Sequence, residues 1–346
     1  MSGTRRSRPS KTTIVDIAAC TGVSVTTVSR VLNGKPDVSD MTRMRVLRAM
    51  EELGFAPQNA WRQIRSGRSG LIGVHAPQEF NPPNLQLMLS AALEVEEAGY
   101  SINIITRGLD DAELLGIFRG REVDGILLLE ILADDRRPKL LSEHGYPFVM
   151  VGHRSENARL SYVDVDVAAG IEAATIHLYE LGHRDIGLLT FQPIVDGKRY
   201  AFAGWAMFGY QRACLRYGLV PIAAFGGVSS EEMAAAAGRL LDDHPEVTAV
   251  LAPQDLSAIG VLRAAQARGM HVPTDLSVIA MLGDTLSEIA TPPLTTISFP
   301  ADEMGTHAAR MLLKKLVGGQ DEPEQMLIKP ILAVRGSTAP PRGVRT

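Results

Sequence analysis

Residues 13–33, TIVDIAACTGVSVTTVSRVLN, admit few backbone shapes. Thr13 and Asp16, three positions apart, offer a hydroxyl and a carboxylate to the free N–H groups of a helix start. Ile14, Ile17 and Ala18 then share one face at spacings of three and four, which predicts a first helix. Gly22 supplies the positive φ that reverses the chain, and Val23 fills the corner. Ser24 is placed to cap a second helix that buries Val28 and Val31 and turns Val25, Thr26, Thr27, Ser29 and Arg30 outward. That outer face is short, polar and only partly charged, the character of a helix whose N-terminal residues enter the major groove of duplex DNA. A third helix is expected behind Ser39 as cap, with Val46, Leu47, Met50 and Leu53 at helical spacing and Gly54 at its end.

The charge distribution agrees with a polyanionic partner at this end of the chain. The net charge of −4 over 346 residues divides into +7 for residues 1–70 and −11 for the remainder. An acidic body discourages indiscriminate adhesion to nucleic acid while leaving the basic end free to dock. Residues 1–11 read as a disordered basic tail that attracts phosphate without reading sequence. They lack the apolar core of a secretory signal, and no run of eighteen apolar residues follows, so a cytoplasmic protein is expected. Cys20 and Cys214, the only thiols, lie far apart in expected helices and read as small core hydrophobes rather than a disulfide or a metal site.

From Leu71 onward the pattern changes. Strand-like apolar runs at 71–75, 101–105, 125–129, 148–151, 186–190, 247–251 and 276–281 alternate with helical segments at 85–98, 168–181, 211–217, 230–242, 256–268 and 302–317. Such alternation argues for parallel sheets covered by helices, and the length favours two sheets side by side with a site between them at the C-terminal ends of the strands. The fold class is therefore α/β: a small all-α helix-turn-helix domain, then a two-lobed body. The expected divisions are a tail at 1–11, the DNA-binding domain at 12–57, a linker at 58–69, the body at 70–336 and a C-terminal tail at 337–346.

The helix-turn-helix stretch, DIAACTGVSVTTVSRVLN in particular, resembles the headpiece of the LacI family of bacterial transcription regulators. The resemblance continues through Asp124-Gly125-Ile126, Leu181-Gly182-His183-Arg184, the run Val272 to Val278 and Pro293-Leu294-Thr295-Thr296-Ile297. It implies a periplasmic-binding-protein-like body whose chain crosses between lobes near residues 164, 296 and 323. It also implies a regulator, most often a repressor, that binds a near-palindromic DNA operator as a homodimer, with tetramers left open, under the control of a small effector such as a sugar or sugar derivative. In the linker QNAWRQIR, Ile64 stands where the family wedges a Leu into the minor groove, and an apolar Ile suits that task.

On the second helix, Val25 and Thr26 are expected to meet base edges, and Arg30 to reach guanine O6 and N7. Thr13, Ser24, Thr27, Asn33 and Ser39 are better placed for phosphate oxygens. In the body, the resemblance assigns the effector to Asp255, a carboxylate at a helix start, and Trp205 offers a face for a sugar ring. Three departures from the family pattern stand out: Gln254 in place of Asn, Ala206 in place of Arg, and Ala280-Met281-Leu282-Gly283 in place of an acidic string. No catalytic motif is present, and His177 and His183, six apart, do not share a helical turn; an enzyme, a metal site and a cofactor are not expected. Two other functions fit part of the pattern: a cytoplasmic small-molecule-binding protein with a vestigial headpiece, and a regulator controlled by a partner protein.

Overall fold

A computed structural model describes residues 12–32, 35, 37–53, 68–76, 82–153, 159–192, 194–195, 198–318 and 322–342. The expected basic tail, Asn33, Gly54 and the hinge residues Trp61 and Ile64 lie outside these. The three N-terminal helices fall in one compact unit and the two-sheet body in another.

In the first unit the local signals act as their chemistry demands. Helix α1 (Ile14–Thr21) starts with the Asp16 carboxylate accepting both the backbone N–H and the hydroxyl of Thr13, each at 2.7 Å. Those hydrogen bonds hold Asp16 below the usual carboxylate range. Gly22 takes φ 67°, and the chain bends by 109° into α2 (Val25–Leu32), whose Thr27 N–H donates to Ser24 Oγ at 3.0 Å. Helix α3 (Asp40–Glu52) begins with Thr42 N–H donating to Ser39 Oγ at 3.3 Å. Ile17, Val28, Val31, Val46 and Met50 close a small core. Cys20 is exposed, contrary to expectation. The inward place on that side of α1 belongs to Thr21, whose hydroxyl is satisfied by the Ile17 carbonyl at 2.7 Å.

The body begins with β1 (Leu71–His75), α4 (Pro82–Glu97), β2 (Ser101–Ile105), α5 (Asp111–Arg119), β3 (Gly125–Leu128), α6 (Arg137–Glu143), β4 (Phe148–Val151) and β5 (Tyr162–Val165). The second lobe follows with α7 (Val167–Glu180), β6 (Ile186–Phe191), a small hairpin of β7 (Ile194–Val195) and β8 (Lys198–Arg199), α8 (Ala201–Tyr217), β9 (Ile222–Gly226) and α9 (Ser230–Asp243). It continues through β10 (Ala249–Ala252), α10 (Asp255–Ala267), β11 (Ser277–Leu282), α11 (Asp284–Ile289) and β12 (Thr295–Ser298). Helix α12 (Ala301–Gly318) and β13 (Gln325–Ile328) return to the first sheet, and β14 (Leu332–Ala333) ends on the second.

The sheets run β2-β1-β3-β4-β5-β13 and β9-β6-β10-β11-β12-β14. Strands β1, β3, β4, β5 and β13 pair in parallel along the first sheet, as β9, β6, β10, β11 and β12 do along the second; β14 is antiparallel to its neighbour β12. Strands β3, β4 and β10 are buried at every position, which is why they read as unbroken apolar runs. Among the described residues no single helix is long and apolar enough to cross a membrane.

The chain passes between lobes after Val165, after Ser298 and after Ile328. The third passage follows the expected position 323 because β13 first joins the sheet edge beside β5. The expected boundary at 336 also falls short. Ser337 is fully buried, its hydroxyl donating to the Val278 carbonyl at 2.6 Å, and the Ala339 carbonyl accepts from Ser277 Oγ at 3.0 Å. Helix α8 begins ten residues before the expected 211, and α5, α6 and α11 were not anticipated.

The helix crossings at Gly305 and Gly209 have no room for a side chain. A Cβ at Gly305 of α12 would lie 2.2 Å from the Leu87 carbonyl oxygen of α4, and one at Gly209 of α8 would lie 2.2 Å from the Ala168 oxygen of α7. Both obstacles are backbone, so the helices must move apart. Gly305→Ala is expected to cost about 1–3 kcal/mol, read as a lower urea midpoint than the parent chain; an unchanged midpoint contradicts the close packing.

Candidate functional site

Helix α2 presents Val25, Thr26 and Arg30 to solvent, with Thr26 and Arg30 one turn apart; Val25 is 42% exposed although it is apolar. Thr13, Ser24 and Ser39, the expected phosphate contacts, are exposed at the starts of α1, α2 and α3, and Thr27 is half-buried. Ser24 Oγ lies 2.9 Å from Thr27 Oγ1 besides capping α2. Arg30 is paired with Asp37 at 3.2 Å, both side chains more than half exposed. A pair that open to water is worth about 0–1 kcal/mol, so it holds the guanidinium only weakly.

In the body, a cavity of about 410 Å³ opens between the lobes, at the C-terminal ends of the strands. Phe191, Tyr200, Phe202 and Phe299 supply rings, while Glu130, His153, Asp164 and Asp255 supply polar groups. Asp255 is the first residue of α10 and half-buried; among the described residues its hydrogen-bond partner is the Leu256 N–H, at 2.8 Å. Gln254 is committed elsewhere: its Nε2 donates to Thr190 Oγ1 at 2.8 Å, and its Oε1 accepts from Ser257 Oγ at 3.2 Å.

Two residues singled out in the sequence lie behind the cavity wall. Trp205 does not line the cavity; it lies one ring behind, stacked on His153 at 4.7 Å between centroids, its Nε1 donating to the His153 carbonyl at 3.3 Å. Ala206 is a fully buried residue of α8, and the residues that face the cavity from the start of that helix are Ala201 and Phe202. Where an acidic string was missed, Met281 and Leu282 form an apolar stretch of wall. His153 and Asp164 escaped the sequence reading. The available signal was position: His153 follows a fully buried parallel strand, where ligand-facing residues of such sheets gather.

The wall at Glu130 is shaped from below. Glu130 takes φ 54°, and Arg137 Nη2 donates to the carbonyls of Leu129 and Glu130, each at 3.1 Å. Arg137 also pairs with Asp135 at 2.6 Å and donates from Nη1 to His75 Nδ1 at 2.9 Å, while His75 Nε2 donates to the Arg107 carbonyl at 3.1 Å. Burial, reinforced by the Arg137 charge, pushes His75 down to about 4. The unfolded chain, with histidine near 6.5, binds that proton first, so stability is complete above pH 6.5 and lost as pH falls toward 4, by up to about 3 kcal/mol. Urea midpoints at pH 7.5 and 4.5 measure this. His75→Gln is expected to flatten the difference; an equal difference in the variant assigns the loss to other groups.

Among the described residues no group of three His, Cys, Asp or Glu could hold a metal ion. His183 is bonded to Thr248 Oγ1 at 2.8 Å and to the Ala339 carbonyl at 3.0 Å, inside the second lobe.

Residues 13–58 match the model of bacterial regulatory proteins of the lacI family, and residues 175–338 match a periplasmic binding protein-like domain. The HTH-type transcriptional regulator CelR of Thermobifida fusca is 34% identical over 346 residues, covering 96% of this chain and 99% of CelR. The chain belongs to the LacI family. Among solved LacI-family structures, the complex of CelR with cellobiose aligns with a TM-score of 0.71 at 32% identity, over 94% of this chain and 99% of that one. The lac repressor dimer bound to operator and the anti-inducer ONPF aligns with a TM-score of 0.75 at 25% identity, over 95% of this chain and 99% of that one. The exposed α2 thus belongs to a DNA-binding transcription regulator, and the two-lobed body carries the family's periplasmic-binding-protein-like fold.

Proposed function

We propose that the chain is a cytoplasmic homodimeric repressor whose grip on a near-palindromic operator is set by a small carbohydrate-like effector in the interlobe cavity. The observation that carries the effector is the cavity lining. Aromatic rings give flat apolar faces, and the carboxylates of Glu130 and Asp255 offer acceptors to hydroxyl groups, the pairing a sugar requires. CelR was solved with cellobiose, which agrees with that chemistry. The protein binds the effector and releases it unchanged.

On DNA, Val25, Thr26 and Arg30 read base edges, Thr13, Ser24, Thr27, Asn33 and Ser39 fix the head on phosphates, and Ile64 wedges the minor groove. A single small head discriminates weakly, and two heads on half-sites one helical turn apart multiply the selection. Leu85, Leu89 and Leu93 form an exposed apolar stripe at four-residue spacing on α4, more than half exposed in the single chain, which a second copy would cover. Coupling is reciprocal: an effector that weakens operator binding by some factor is itself bound more weakly by that factor on the operator.

The test is selection of bound duplexes from a random pool, followed by release from the winning sequence with neutral mono- and disaccharides. A symmetrical winning sequence held by two chains and released by a sugar is expected. Equal binding to all duplexes at low salt overturns the DNA reading, and a bound complex indifferent to every sugar overturns the carbohydrate effector.

A further inference from the structure

His153 lies on the cavity wall in contact with both lobes. It follows β4 on the first lobe, and its ring is stacked between Tyr162 of the same lobe, at 5.2 Å, and Trp205 of the second, at 4.7 Å, each tilted by only 15°. Rotation about its side-chain bonds is blocked on both faces. Its edge is fixed as well: Nδ1 lies 2.7 Å from Asp164 Oδ2, which also accepts the His153 backbone N–H at 3.0 Å, while Asp164 Oδ1 accepts the Val165 N–H at 2.8 Å. A carboxylate offers lone pairs and no proton, so the Nδ1 side of the ring must donate. In a neutral imidazole that leaves Nε2 as a bare acceptor. Among the described residues Nε2 has no hydrogen-bond partner, and His153 lines the cavity.

We propose that His153 Nε2 is the acceptor for a hydroxyl of the effector, so that the cavity selects ligands with a hydrogen-bond donor at this point. The proposal deepens the carbohydrate reading and rests on it. Asp164 and the two flanking rings act as positioning residues: they hold the tautomer and the plane of the ring. A site built to pair a buried ligand hydroxyl rejects an analogue without it far more strongly than an apolar wall does, because the unpaired acceptor remains desolvated.

The experiment uses the full chain labelled with ¹⁵N-histidine, with the His153 resonances identified by their loss in His153→Phe, or in His153→Gln if the first does not fold. Phenylalanine keeps a flat ring for the stack and removes both nitrogens. Without ligand at pH 7.5, a protonated Nδ1 and a bare Nε2 are expected; the opposite tautomer or a doubly protonated ring overturns the proposal. Cellobiose and glucose are then titrated as probes. Binding is expected to move the Nε2 resonance, and the Phe variant to lose at least tenfold in sugar affinity. A sugar that binds both proteins equally and leaves Nε2 unmoved overturns the proposal. If neither sugar binds the wild type although Nε2 is bare, the pairing of Nε2 with a hydroxyl of these sugars is overturned; the wrong tautomer with a sugar bound overturns the Nε2 assignment and leaves the carbohydrate reading in place.

Discussion

With Arg30 replaced by alanine, the dimer is expected to lose most of its preference for the selected operator and to keep most of its affinity for random duplex. A bidentate arginine–guanine contact is worth about 1–3 kcal/mol of discrimination. Two heads double that, so the specificity ratio should fall by roughly 30-fold or more. Nonspecific binding loses one positive charge per head, a smaller effect that shows as a shallower salt dependence. The cost to the fold is slight, because the Arg30 partner in the free protein is the exposed Asp37. Arg30→Lys sharpens the measurement: it keeps the charge and loses the planar fork, so specificity should fall nearly as far as with alanine. Competition binding of operator against random duplex at two salt concentrations reads all three proteins. Equal loss on every sequence would make Arg30 a phosphate contact.

Asp255→Ala is expected to remove the effector response while leaving operator binding as it was. Each hydrogen bond from a ligand hydroxyl to this carboxylate is worth about 1.5–3 kcal/mol, so sugar affinity should drop by roughly tenfold or more for one bond and far more for two. The carboxylate also sits in the first turn of α10, where a negative charge favours the helix by about 0.3–1 kcal/mol. A small fall in the melting temperature therefore accompanies the substitution, and Asp255→Asn separates the two effects by keeping an acceptor without the charge. Calorimetric titration with cellobiose, paired with operator binding in its absence, is the measurement. Undiminished sugar affinity in Asp255→Ala would clear the residue of the role.

The headpiece was legible in the sequence almost residue by residue. Thr13 with Asp16, Gly22, Ser24 with Thr27 and Ser39 with Thr42 act within four positions of one another, so their geometry follows from short-range hydrogen bonding and allowed φ. The alternation that announces parallel sheets was equally plain where strands are buried on both faces. It failed where the strand is polar. Strand β12 reads TTIS, yet Thr295 and Thr296 are fully buried, because Thr338 Oγ1 lies 3.1 Å from the hydroxyl of the first and Arg335 donates to that of the second at 2.6 Å. Those partners arrive from about forty residues away, after a chain crossing that no local pattern encodes.

The cavity shows the same division. Asp255, which the family resemblance singled out, lies on the cavity wall at the start of α10, but Trp205 lies one layer behind that wall and His153 was missed. Whether a ring faces a ligand or backs another ring depends on which lobe closes over it. Composition, periodicity and capping chemistry determined the class of fold, the head and its outward helix. Only the tertiary structure decided the lining of the cavity, since Trp205 meets His153 across 52 residues of sequence and from the opposite lobe. Packing over that distance is set by where two sheets come together, a quantity to which each residue contributes weakly and none decides alone.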